Sequence, residues 1–299
     1  MKNLSLKTTG IILTIVAFSF MAIGDVTTKA LTSYYNTFAV GYYLNLLTIT
    51  FLIPVILYNG GFKQAFQTES LKFHILRSFF MLGVFVCIIY ALGTLPMAKT
   101  YTIIFTMPFI LNILAMVILK EKISGYRWLT IIAAFIGVLI ALRPGIVPLN
   151  TGAIAALGCA FFIACATITV KHISPNDKWL SFICYPMLVQ TIPLGFIVYL
   201  QGAPLLPAPS STTLMWLTGG GLAFTIGLSL LPQAIKRIDA SIFGCLLYIS
   251  FIWGTIYGYF IFGDAVDLWT LAGAVIIISS GLFLIYREKI EDSKLLNTD

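Results

Sequence analysis

The chain has 299 residues, of which 59% are hydrophobic and 10% charged, with a formal net charge of +7. A soluble domain carries about a quarter charged residues, so this composition excludes a soluble core and points to a polytopic membrane protein. The basic residues lie between apolar runs rather than on one polar face, which assigns the charge to membrane topology and excludes nucleic acid as a partner.

The N-terminus, "MKNLSLKTTG", runs directly into apolar sequence. It has the charged start of a signal peptide but no small-residue cleavage site, which predicts a retained first span. A helix needs roughly 20 apolar residues to cross a bilayer. The pattern predicts ten such spans, at about 10–30, 37–58, 73–94, 98–119, 126–142, 152–171, 179–200, 213–233, 240–261 and 268–286. With the N-terminus cytoplasmic, only Lys29, Lys99 and Arg143 fall outside, and the other fifteen basic residues fall inside. That asymmetry predicts a cytoplasmic (inner) membrane protein with both termini cytoplasmic.

Span one carries Asp25 and, one helical turn later, Lys29. A carboxylate inside a span is costly unless it pairs, faces water or meets a cation. Two readings stand: a local Asp25–Lys29 ion pair near the outer interface, or an Asp25 that faces a central cavity and meets a proton or a cationic solute. Asn45 in span two and Gln190 in span seven are either interhelical hydrogen-bond partners or cavity groups. Span four holds Tyr101 and "TMPFILN", in which Pro108 cannot donate a backbone hydrogen bond to Ile104. Asn112 lies one turn beyond Pro108 and either packs or lines the cavity. Span eight opens with "TGGGLAF" at 218–224, a close-packing face. Span nine brings Tyr248, Trp253 and Tyr257. With Tyr101 and Phe18 these form an aromatic wall suited to a sulfonium or ammonium through cation–π attraction, or they simply pack.

The five cysteines, Cys87, Cys159, Cys165, Cys184 and Cys245, lie in apolar runs without zinc-ligand spacing and are expected to be buried packing residues. No metal or cofactor is expected. Two "GD" pairs, at Asp25 and Asp264, raise an intramembrane aspartyl enzyme as a rival class. Asp264 falls at the outer end of its span, away from the midplane. The sequence contains no HExxH, GxSxG or Walker pattern. A channel or passive scaffold is a further class, weakened by the absence of repeated polar pore residues.

The halves of the chain repeat. Gly10 aligns with Gly152 and Lys29 with Lys171 at an offset of 142, and Ala98 aligns with Ala240. Glu121 aligns with Asp264, and Trp128 with Trp269, within a residue or two. Five spans per half is an odd number, so the second half is inverted, the arrangement that permits alternating access. The predicted fold is therefore all-α: ten transmembrane helices in two inverted five-helix repeats, at 1–146 and 147–299.

"YALGTLPMAKTYTIIFTMPF" at 90–109, "LKEKISGYRWLTIIAAFIGVLIALRP" at 119–144 and "YFIFGDAVDLWTLAGAVIIISSGLFLIYREK" at 259–289 resemble the drug/metabolite transporter superfamily, in particular its ten-span EamA-type members. Within that group "GDVTTK" at 24–29, "FHILRSFF" at 73–80 and "RWLTIIAAFIGVLIALRP" at 127–144 are similar to S-adenosylmethionine uptake transporters. Tyr42-Tyr43 followed by Leu44-Asn45, and the apolar run "FGCLLYISFIWGTIYGY" at 243–259, depart from that narrower pattern. The resemblance implies a gradient- or exchange-driven carrier and no enzyme. Its partners are a small organic solute and the lipid bilayer, and homodimerisation stays open. An exporter of amino acids or related metabolites is the rival substrate class.

Overall fold

The computed structural model describes residues 6–120, 125–143, 150–205, 210–235, 237 and 246–296. Glu121, Ala240, Cys245 and the start of the ninth predicted span lie outside the described residues. The described segments are helical: α1 (Leu6–Leu31), α2 (Thr37–Tyr58), α3 (Gly61–Ala65), α4 (Leu71–Thr94), α5 (Met97–Ile104) and α6 (Met107–Leu119). After these come α7 (Gly125–Leu142), α8 (Thr151–Val170), α9 (Ser181–Leu200), α10 (Ser211–Ile235), α11 (Ile249–Phe262) and α12 (Leu268–Leu296). Among the described residues seven helical stretches are long and apolar enough to cross a membrane, with Met97–Ile118 taken as one. Three shorter apolar helices, Trp128–Leu142, Ile249–Phe262 and Leu268–Leu284, bring the spans to ten.

Lipid offers no hydrogen bonds, so each helix must satisfy its own backbone and its polar side chains must find internal partners. The hydroxyls of Thr14, Thr48 and Thr102 accordingly bond the carbonyls of Gly10, Leu44 and Ala98 one turn earlier. Asn36 and Asn150 accept from Ala39 N and Gly152 N, capping α2 and α8. On the outside, Phe135, Phe196 and Phe260 are each more than 60% exposed. Such an apolar exterior is stable only against lipid.

The repeats interleave rather than forming separate bundles. α1 packs chiefly on α10, and its counterpart α8 packs chiefly on α4, the counterpart of α10. α2 on α10 is likewise mirrored by α9 on α4. Two direct contacts locate the axis relating the halves. Asn45 Nδ2 donates to the Met187 carbonyl at 2.9 Å, 142 positions away, which is the repeat offset itself. Phe105 meets Tyr248 edge-on at 5.1 Å, and their numbers also differ by about one repeat length. Residues related by a twofold axis can touch only on that axis.

Close helix approach depends on small residues. A Cβ at Gly220 would lie 2.2 Å from Thr27 Oγ1, and one at Gly273 would lie 2.5 Å from the Gly137 carbonyl. The glycines thus set the α1–α10 and α7–α12 crossings. α1 ends and α2 begins at one face of the bundle, the Lys29 face. The α2–α4 and α8–α9 connections lie at the opposite, Asp177 face.

Candidate functional site

Asp25 sits in the C-terminal half of α1, where Gly24 lets Phe224 of α10 approach: a Cβ there would lie 2.6 Å from that ring. Tyr101 of α5 donates its hydroxyl to Asp25 Oδ2 at 2.5 Å. The Tyr101 ring fits against α11 because residue 254 is glycine; a Cβ there would be 2.3 Å from a ring carbon. Tyr101 stacks on Phe105, with centroids 6.4 Å apart, and Phe105 meets Tyr248. One chain of contacts therefore runs from the α1 carboxyl across the repeat axis.

The fourth span breaks at Phe105-Thr106, between α5 and α6. Pro108 lies in the first turn of α6, where a missing backbone donor costs least. Asn112 Nδ2 donates to the Pro108 carbonyl of its own helix at 2.9 Å.

Lys29 does not pair with Asp25. Its ammonium forms an ion pair with Asp264, donates to the Leu95 carbonyl at 3.2 Å and lies 4.9 Å from the Phe262 ring centre. Asp264 also accepts from Met97 N at 3.3 Å. Gly263, at φ 68°, turns the chain after α11 and swings Asp264 over the end of α1. The local-pair reading of Asp25 and Lys29 is thereby corrected: the turn supplies a better-placed carboxylate, and Asp25 is left to Tyr101. Asp25 and Asp264 have different partners and form no carboxyl dyad.

The other predicted residues divide into groups. Asn45 Nδ2 bridges to Met187 O and to Thr191 Oγ1 at 2.7 Å, joining α2 to α9. Gln190 is buried, its Oε1 without a hydrogen-bond partner, and it lines a cavity at the Asp177 face. Trp253 stacks on Tyr257 at 5.1 Å, and Trp253 Nε1 is buried without a partner. The structure thus joins Asp25, Tyr101 and Tyr248 through Phe105, and places Asn45, Asn112 and Gln190 elsewhere. Among the described residues no three His, Cys, Asp or Glu side chains gather as a metal site requires.

Sequence reasoning passed over a polar cluster at the Asp177 face. Asp177 accepts from Thr68 Oγ1 at 2.6 Å and from Glu69 N at 2.9 Å, and it lies 3.0 Å from His74 Nε2. Burial pushes the Asp177 carboxyl up, but these hydrogen bonds and His74 outweigh it and hold it below its ordinary range. Arg77 donates to the Phe182 carbonyl at 2.9 Å. The available signal was the i, i+3 spacing of His74 and Arg77 on one helix.

The EamA-like transporter family matches this chain twice, over residues 8–143 and 150–287. The chain belongs to the EamA-like transporter family. It is a membrane transporter of small metabolites and not an enzyme. The S-adenosylmethionine uptake transporter of Rickettsia prowazekii (strain Madrid E) is 29% identical over 271 residues, covering 90% of this chain and 89% of that protein. The riboflavin transporter of Vibrio cholerae serotype O1 is 25% identical over 240 residues, covering 80% and 79%. A solved crystal structure superposes with a TM-score of 0.64 over 94% of this chain and 99% of its own, at 14% identity, which shows a shared fold.

Proposed function

We propose that this EamA-type carrier takes up a small cationic metabolite of the S-adenosylmethionine type across a bacterial inner membrane. The Asp25–Tyr101 pair carries the reading. Lys29 is committed to Asp264, so the Asp25 carboxyl inside the span is available to a positive group. Tyr101 and Phe105 beside it are buried and Tyr248 packs against them; when the helices part, their ring faces would meet a sulfonium, each contact contributing about 0.5–2 kcal/mol. The likeness to the Rickettsia uptake transporter supports the same class.

In this reading the repeats at 1–146 and 147–299 rock about their common axis, driven by a gradient or by exchange. Both termini are cytoplasmic, so the Asp177 face is the inner one. The Lys29–Asp264 pair then seals the outer face while the cavity opens inward.

A panel tests the proposal: cells expressing the chain are offered labelled S-adenosylmethionine, riboflavin and amino acids, and accumulation and efflux are measured. Saturable accumulation of S-adenosylmethionine, competed by unlabelled compound, is expected. Accumulation of riboflavin alone, or outward movement of amino acids alone, overturns the substrate assignment.

A further inference from the structure

At the Asp177 face a cavity of about 610 Å³ opens between α4, α9 and α10, a size in the range of small-molecule sites. Its walls are mainly apolar and soft: Trp179, Phe182, Met81, Met187, Leu228 and Leu231. Two polar side chains in it have unmet bonding capacity. Arg77 donates Nη1 to the Phe182 carbonyl at 2.9 Å and lies 5.3 Å from that residue's ring centre, but its Nε is buried without a hydrogen-bond partner. Gln190 is 3% exposed, and its Oε1 is unpartnered too. Buried polar atoms are rarely left so, and two beside one cavity, on α4 and on α9, point to a ligand that completes them.

Two further polar residues of the lining, Ser174 and Asp177, are already taken: Ser174 Oγ donates to Glu69 Oε2 at 2.8 Å. The Asp177 oxygens accept from Thr68, Glu69 and His74, and its side chain is 1% exposed. Once Arg77 and Gln190 turn toward a ligand, the cavity therefore offers guanidinium donors and an amide acceptor, but not that carboxylate. Phe182, which anchors Arg77, and Gln190 stand about two turns apart on α9, roughly 12 Å along its axis. The complementary solute is elongated. It carries a carboxylate at one end, an N–H-bearing ring at the other and an apolar or sulfur-containing middle.

We infer that this cavity binds an amino-acid-bearing nucleoside, with Arg77 holding the carboxylate and Gln190 accepting an N–H from the ring. Asp25 and Tyr101 do not line it, so it is a second station on the path. The inference rests on the substrate class proposed above and adds which end of the solute meets which residue. Arg77 suits a carboxylate because its planar fork can donate two parallel bonds.

The test uses the purified full-length protein in detergent and compares binding of S-adenosylmethionine with binding of its decarboxylated analogue, which keeps the sulfonium and the ring. The parent protein should prefer the carboxylate compound by about tenfold. Arg77→Gln should erase the preference while melting near the parent temperature. Gln190→Leu should weaken both compounds alike and keep the preference. If Arg77→Gln is not recovered folded, Arg77→Lys is read instead and should lose most of the preference. A parent that binds both compounds equally, or an Arg77 variant that still discriminates fully, overturns the cavity assignment alone. A parent that binds neither overturns the substrate class and the cavity assignment with it.

Discussion

Lys29 of α1 and Asp264 of the turn after α11 form an ion pair across the repeats, 235 positions apart in the chain. Their side chains are only 14% and 19% exposed. Removing one member of such a pair strands the other charge, at a cost on the order of 3 kcal/mol. Asp264→Asn and Lys29→Met should each lower thermal stability in detergent, and the charge swap Lys29→Asp with Asp264→Lys should recover part of the loss. Single variants that melt with the parent would show that the pair contributes nothing.

The Tyr101 hydroxyl bond to Asp25 leads to a graded expectation. Tyr101→Phe keeps the ring stacked on Phe105 but removes one hydrogen bond, worth about 1 kcal/mol or a factor of about five. Uptake should fall by that order at unchanged membrane yield. An unchanged rate would separate the tyrosine from transport.

Gly254 makes room for the Tyr101 ring. Gly254→Ala forces ring and helix apart, and overpacking of this kind costs about 1–3 kcal/mol. Both stability and uptake should drop, and adding Tyr101→Phe should not relieve the clash, since the ring remains. Parent-like melting by Gly254→Ala would contradict the packing.

Asp177 gives a pH expectation. Its folded carboxyl titrates below the ordinary value. Its contribution to stability is therefore complete above the unfolded value of about 3.9 and is lost as the pH falls through the lower folded value. The parent should be more stable than Asp177→Asn at pH 7, and the gap should begin to narrow near pH 4 and go on closing as the pH falls further. A gap that stays constant to low pH would point to packing rather than charge.

Much of the fold is legible in the sequence because span length is set by bilayer thickness. The run 37–58 is the helix Thr37–Tyr58 residue for residue. The inverted repeat is legible from paired positions such as Gly10 and Gly152. Which helices of one repeat pack on which of the other is not, because small residues such as Gly220 do not name their neighbours. Within the site, Asp25 stands out as a carboxyl in an apolar span and Tyr101 as one ring of an aromatic wall, but the hydrogen bond that joins them does not. Nor does the Lys29–Asp264 pair, because an i, i+4 neighbour is the nearest partner a linear reading offers. Arg77 is hidden for another reason: a basic residue at the inner end of a span reads as a topology charge, whatever cavity it borders.

The most direct measurement is uptake of labelled S-adenosylmethionine into proteoliposomes holding equal amounts of the parent protein or Asp25→Asn. Saturable uptake by the parent, reduced about tenfold or more in the variant with normal incorporation and melting, is the predicted result. Equal uptake by the two proteins would remove Asp25 from the mechanism and contradict the account.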